Sequence, residues 1–330
     1  MKVALLGAGR IGRVHAASIG IDSRSELVAI ADPVAEAAED LARGNSAYTA
    51  TIDEVFADTA IDAVLIASST DTHADLIERA VEAGKAIFCE KPLDLDLDRA
   101  RAVKCIADRH DRPVMMGFNR RFDPNFASVK ARLDAGEVGK GELLAVTSYD
   151  PAPPPVEYIK VSGGLFRDMM IHDFDMCGFL FGMPVSVSAH GSNLVDPSIG
   201  EAGDIDTAVV VLSYADGRLA TIRNSRRAPY GYDQRVEVLG SKGLIAADNE
   251  TESRVSVATE AGVTAPKPVY FFLERYSQAY AIEWSAFVDA VVDGKPVPAT
   301  VEDGVNALVL AEAANRSLSE GRPVSVASVS

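Results

Sequence analysis

The sequence predicts an α/β protein of two domains. The first holds a parallel sheet covered by helices on both faces, and the second a mostly antiparallel sheet with helices. Continuous apolar runs alternate with helical segments as far as residue 118, the pattern of strands buried on both faces. A glycine-rich turn, Gly7-Ala8-Gly9-Arg10-Ile11-Gly12, follows the first of those runs. Later strands instead alternate or pair around turns such as Ala215-Asp216-Gly217 and Ser241-Lys242-Gly243.

Residues 2–6 (KVALL) read as the first strand, 10–20 as a helix, 27–31 (LVAIA) as the second strand and 34–43 as an Ala/Glu helix. After TIDEVFAD come the strand IDAVLIAS, the helix HADLIERAVEAG, the strand AIFCE, a helix over 97–110 and the strand PVMMGF. Residues 120–136 are amphipathic and form a connecting helix. The boundary therefore falls near residue 120, with no flexible linker, giving domains 1–119 and 120–330. LLAVTSYD, VSVSAHGSN, DTAVVVLSYADGRLATIRNS, QRVEVLGSKGLIAAD and SRVSVAT supply the second sheet. A helix carrying SGGLFRDMMIHDFDM lies between the first two of these, and helices over 276–293 and 302–320 close the chain.

The chain has 330 residues, 48% of them hydrophobic, enough for two cores. With 48 acidic and 32 basic residues, its net charge of -16 argues against nucleic acid and anionic membranes as partners. No apolar run is long enough to cross a bilayer, and KVALL is cut short by glycines, as a strand is and a secretion signal is not. Cys89, Cys105 and Cys177 are odd in number and lack C-x-x-C spacing. This suits a reducing cytoplasm and argues against a zinc or iron–sulfur site.

Gly7, Gly9 and Gly12, with Arg10 and Ile11, form G-x-G-x-x-G between a strand and a helix. The glycines permit a tight turn and close approach of a pyrophosphate, which the helix N-terminus attracts. Asp32 follows Gly12 by 20 residues at the end of the second strand. A carboxylate there accepts hydrogen bonds from both ribose hydroxyls and repels a 2′-phosphate, favouring NAD over NADP. The plain alternative is a glycine turn with a helix-capping aspartate. Ser68, Ser69, Thr70 and His73 follow the strand IDAVLIA, where the plain alternative is a helix cap at Asp71 or Thr72. Glu90 and Lys91 follow the strand AIFC. Both loops lie at carboxyl ends of strands, where ligands bind such sheets.

With GAGRIG, the strand-end Glu90-Lys91-Pro92 and the Asp168-x-x-x-His172 spacing, the whole chain resembles the Gfo/Idh/MocA oxidoreductases. GFNRRFDPNF (117–126), DPAPPPVEYI (150–159), SGGLFRDMMIHDFDM (162–176) and NSRRAPYGYDQRVEVLGSKG (224–243) bring it closer still to the bacterial inositol 2-dehydrogenases. The resemblance implies a Rossmann domain, an α/β domain with a large open sheet, and a homotetramer built through those sheets. It implies NAD-linked oxidation of a cyclitol or sugar alcohol, here myo-inositol to its 2-keto form. It marks Lys91, Asp168 and His172 as catalytic and substrate-contacting. Asp150 and Tyr232 are matched to substrate contacts, and Asn119 to the neighbourhood of the nicotinamide.

The residues themselves fit that chemistry. Oxidising an alcohol requires a base for the hydroxyl proton, and histidine titrates near neutral pH. Asp168 and His172 are four residues apart, so one helix would place them on one face. Asp168 can then orient the imidazole, and Lys91 can hold a substrate hydroxyl. The plain alternative is a satisfied core histidine with an aspartate partner. Asp173 and Asp175 leave that face and read as structural, and their spacing with His172 suits no metal. Tyr276, Tyr280 and Trp284 recur every four residues as a packing stripe. Open alternatives are scyllo-inositol or an aldopyranose as substrate, a non-catalytic NAD-binding sensor, and an enzyme that retains and reuses its NAD.

Overall fold

The computed structural model of the chain describes residues 1–329. Packing divides it into two units. One is Met1–Asp123 with Gln278–Leu308, and the other is Pro124–Ser277 with the residues from Val309 onward.

The first unit contains β1 (Lys2–Leu6), α1 (Arg10–Ile21), β2 (Glu26–Ala31), α2 (Ala35–Asn45), β3 (Tyr48–Thr49), α3 (Ile52–Ala57), β4 (Ala63–Ile66), α4 (His73–Glu82), β5 (Ala86–Glu90), α5 (Leu97–Ala107) and β6 (Val114–Gly117). The strands form one parallel sheet in the order β3-β2-β1-β4-β5-β6. This is the doubly wound dinucleotide-binding order, whose direction reverses between β1 and β4. Every residue of β4, β5 and β6 is buried, as the unbroken apolar runs require. Helix α4 buries His73, Ala74, Leu76, Ile77 and Ala80, one stripe at helical spacing.

The second unit begins with α6 (Pro124–Asp134) and β7 (Gly141–Tyr149). Then follow α7 (Val156–Ser162), α8 (Gly164–Asp168), α9 (Ile171–Phe181), β8 (Ser186–Ser192), α10 (Pro197–Glu201), β9 (Thr207–Ser213), β10 (Leu219–Ser225), β11 (Asp233–Gly240), β12 (Gly243–Ala247), β13 (Val257–Thr259), β14 (Gly262–Thr264), α11 (Phe272–Arg275), α12 (Ser277–Val292), α13 (Val301–Glu320) and β15 (Val324–Ser325). Seven strands make one sheet in the order β12-β11-β7-β10-β9-β8-β15. Only β7 and β10 run parallel, and the other neighbours are antiparallel. One face is buried through Leu144, Val146, Val187, Val210, Leu212, Ile222, Val236 and Val238. The opposite face carries a cross-strand row of leucines, Leu244–Leu239–Leu143–Leu219, each at least 40% exposed.

Two expectations about the sheet and the domain boundary differ from the structure. The stretch 253–259 does not join the large sheet. Its β13 pairs only with β14 in a separate hairpin whose six strand residues are all exposed, leaving no buried face to dock. The division into 1–119 and 120–330 is also too simple, because α12 packs with the first unit. Trp284 and Phe287 pack against Phe88, tilted and edge-on, with centroids 6.0 and 5.7 Å away, Tyr280 meets His15 at 5.5 Å, and Trp284 Nε1 donates to Ser25 Oγ at 3.0 Å. Helical periodicity shows that a face is apolar but not which core it enters. Among the described residues no helix is long and apolar enough to cross a membrane.

Candidate active site

The glycine-rich turn is shaped by contacts only hydrogen permits. Gly7 has φ +109°, and an added Cβ would lie 2.5 Å from Ala67 O. At Gly12 a Cβ would lie 2.0 Å from Gly7 O, so the helix can start close under the turn. Gly9, by contrast, faces open space. No side chain caps α1 and no acid lies in its first turn, which leaves its amide N–H groups and dipole to an anion. Asp32 is fixed at the end of β2: Ala8 N donates to Oδ2 at 2.6 Å and Val34 N to Oδ1 at 2.8 Å. The open cradle at Gly9 and the anchored carboxylate suit a pyrophosphate and a ribose with two free hydroxyls.

The remaining loops of this unit are tied to that turn. Ser68 Oγ and Thr72 Oγ1 lie 2.6 Å apart, and Thr72 Oγ1 donates to Ser69 O at 2.7 Å, so the serine supplies the shared proton. Thr70 opens the turn that follows, and Ser69 is exposed. His73 Nδ1 lies 2.8 Å from Pro92 O and Nε2 3.2 Å from Ser68 O. Burial pushes its pKa below the usual histidine value against the pull of those two carbonyls. The ring thus sits between the Ser68 loop and the Lys91-Pro92 loop, and in its neutral form it donates to one of the two carbonyls. Glu90 Oε1 meets the fully buried His15 Nε2 at 2.7 Å, and Oε2 accepts from Lys91 N at 3.2 Å. Asn119 lies buried in the turn after β6. Arg10 and Ile11 occupy the first turn of α1.

In the second unit the helix predicted to carry the Asp168–His172 pair is broken. Asp168 ends α8 and His172 is the second residue of α9. Met170 N donates to Leu165 O at 2.9 Å, five residues back, which widens the turn. Asp173 N and Phe174 N both return to Met170 O, at 2.8 and 2.9 Å, and restart the helix. The two residues are thus joined by a wide turn and do not share one face of a continuous helix. Tyr158 Oη donates to Asp168 Oδ1 at 2.8 Å, and Arg226 Nη2 to Asp168 Oδ2 at 3.3 Å. Asp173 is fully buried: Ser148 Oγ donates to Oδ1 at 2.5 Å and Asn224 Nδ2 to Oδ2 at 2.8 Å. Those bonds moor the start of α9 to β7 and β10. Tyr232 is buried edge-on to Tyr276 at 6.0 Å, and Asp150 N donates to Ser225 O at 2.9 Å. Met169 and Met170 fill core.

Residues 1–118 match the model of an oxidoreductase family's NAD-binding Rossmann fold, and 130–326 match that family's C-terminal α/β domain. The chain belongs to the Gfo/Idh/MocA oxidoreductase family. It is 50% identical over 328 residues to an inositol 2-dehydrogenase of Rhizobium meliloti (strain 1021), covering 99% of both chains. To a myo-inositol 2-dehydrogenase of Thermotoga maritima it is 45% identical over 332 residues, covering 100% of this chain and 99% of the relative. Its fold matches a scyllo-inositol dehydrogenase from Lactobacillus casei, solved with bound NAD(H) and scyllo-inositol, at TM-score 0.92 and 30% identity. That match covers 99% of each chain.

This Gfo/Idh/MocA member is thus an NAD-dependent oxidoreductase with a Rossmann domain and a second α/β domain. Each unit assembles its own set of the expected residues. In one, the turn at Gly7–Gly12, Asp32, Ser68–Thr70, Glu90-Lys91 and Asn119 all lie at or just beyond carboxyl ends of strands. In the other, Asp168 and His172 flank a wide turn, with Asp150 and Tyr232 on the loops after β7 and before β11. Sequence reasoning passed over His15, Tyr158, Asp204 and Arg226. Their partners lie between 10 and 75 residues away, beyond any local spacing rule.

Proposed function

We propose that this enzyme oxidises myo-inositol to 2-keto-myo-inositol, transferring a hydride to NAD and releasing a proton. The observation that carries this reading is the unbroken likeness to two inositol 2-dehydrogenases, along the whole chain, with Lys91, Asp168 and His172 all present. When bound, the nicotinamide accepts the hydride. The protein's own part is to place the ring and move the proton. His172 takes the hydroxyl proton as the C–H bond breaks and the C=O bond forms. Asp168 stabilises the imidazolium that results, since a carboxylate favours a neighbouring cation. Lys91 holds a substrate hydroxyl and steadies its developing negative charge. Asp150 and Tyr232 add hydroxyl contacts, while Asn119 and the loop from Ser68 to Thr70 adjoin the cofactor. Asp32 selects NAD by its charge.

The open face of the seven-stranded sheet fits a further part of this reading, assembly into a homotetramer through those faces. A contiguous apolar row on an open sheet is the kind of patch that another subunit covers.

A polyol panel of myo-, scyllo- and chiro-inositol and both glucose enantiomers, with NAD and then NADP, tests the function by absorbance at about 340 nm. Fast NAD reduction with myo-inositol is expected, and Lys91→Ala should lower it. Preference for scyllo-inositol or glucose would relocate the substrate. Absence of any reduction would overturn the dehydrogenase reading.

A further inference from the structure

Arg226 is a buried cation that joins the two ends of one short helix. Its side chain is only 1% exposed, and its amide donates to Asp206 O at 2.8 Å just beyond β10. Nη2 donates to Asp168 Oδ2 at 3.3 Å and lies 3.8 Å from Asp204 Oδ2. Asp204 in turn accepts from Leu165 N at 3.0 Å, at the start of α8, whereas Asp168 is its last residue. Gly164 makes that approach possible: its φ is +83°, and a Cβ there would lie 2.8 Å from Asp204 Oδ1. Tyr158 fixes the remaining oxygen of Asp168 from α7.

One guanidinium serves two carboxylates, each only about an eighth exposed. Such an arrangement is costly unless the charges are matched, because a buried carboxylate without its cation is strongly destabilising. Burial pushes the Asp204 carboxyl above its usual range and the charge of Asp168 adds to this, while backbone amides and Arg226 pull the other way. The two aspartates therefore compete for the same positive charge.

We propose that Arg226 and Asp204 are positioning residues for the Asp168–His172 pair. The guanidinium orients the Asp168 carboxylate and sets its local potential, and Asp204 sets how much of that charge Asp168 receives. This rests on the proposed role of Asp168 and His172 in taking the hydroxyl proton. The guanidinium draws on the charge of Asp168 and Asp204 competes for that guanidinium, so removing each should change how firmly Asp168 holds the imidazolium, in opposite directions. Tyr158 on α7, Arg226 beyond β10 and Asp204 before β9 face Asp168.

The test measures kcat/KM for the preferred polyol against pH at saturating NAD, in the full chain. The ¹H–¹⁵N titration of the His172 imidazole reads the same equilibrium without turnover. Arg226→Gln should move the acid limb and the imidazole titration up by about one pH unit, hence about ten-fold in kcat/KM on the acid side. Arg226→Lys should return both toward the parent. Asp204→Asn should move both down. NAD affinity should hold throughout. If Arg226→Gln does not fold, the downward shift in Asp204→Asn decides alone. Variants that lose thermal stability while limb and titration stay put would overturn the proposal, and an inactive His172→Ala beside them would leave the catalytic reading standing. Full activity in His172→Ala would overturn that reading and this inference with it.

Discussion

Glu90 joins the buried His15 to Lys91: one carboxylate oxygen meets His15 Nε2 at 2.7 Å and the other receives the Lys91 amide at 3.2 Å. The link runs from the helix after the glycine turn, through the end of β5, to the lysine proposed to hold substrate. Glu90→Ala leaves a fully buried imidazole nitrogen without its partner, a loss of about 1–3 kcal/mol. Denaturant unfolding should register that loss, and turnover should fall with it. Glu90→Gln keeps the bond and should recover most of the stability; equal losses in both variants would assign the effect to charge alone.

Asp32 is held by two backbone amides, so its carboxylate keeps its place whether or not a nucleotide is bound. Asp32→Ala should weaken NAD by about 10- to 100-fold, the worth of hydrogen bonds to a charged group, and narrow its margin over NADP. Comparing Kd for the two nucleotides measures this. An unchanged ratio would remove Asp32 from cofactor selection.

His73 sets a pH dependence. Burial lowers its folded pKa, so the unfolded chain binds the proton first on acidification. Its contribution to stability is complete above about pH 6.5 and is lost as pH falls from there through the lower folded value. The thermal unfolding midpoint should therefore drop between pH 7.5 and 5, and the drop should be shallower in His73→Gln. Parallel pH curves would exclude His73 as its source.

The leucine row on the open sheet predicts the oligomer. Leu143→Arg and Leu219→Asp place charges where each leucine is at least 40% exposed, so a folded monomer tolerates them and a covered face does not. Sedimentation or light scattering should show smaller species with unchanged circular dichroism. Unaltered mass would free this face from assembly.

Much of this was legible in the residues. GAGRIG, the unbroken runs of β4 to β6 and Asp32 gave the first sheet and its ligand edge, because parallel strands and phosphate turns each leave a local pattern. The turns at Gly217 and Gly243 gave the antiparallel strands. The break at Met169-Met170 was not legible, since the spacing from Asp168 to His172 matches an intact helix and only a bond five residues back reveals the wide turn. The charge set of Arg226 with Asp168 and Asp204 was hidden for another reason. Its members lie on three segments that only the fold brings together.

The return of α12 to the first unit bears on how the protein is made. Trp284 and Phe287, which pack on Phe88, leave the ribosome some two hundred residues after the strand they cover. At translation rates of about 5–20 residues per second, the nascent nucleotide domain waits ten seconds or more with an unfinished core. A product halted before residue 278 would lack the helix whose Trp284 and Phe287 complete the Phe88 core of the first unit.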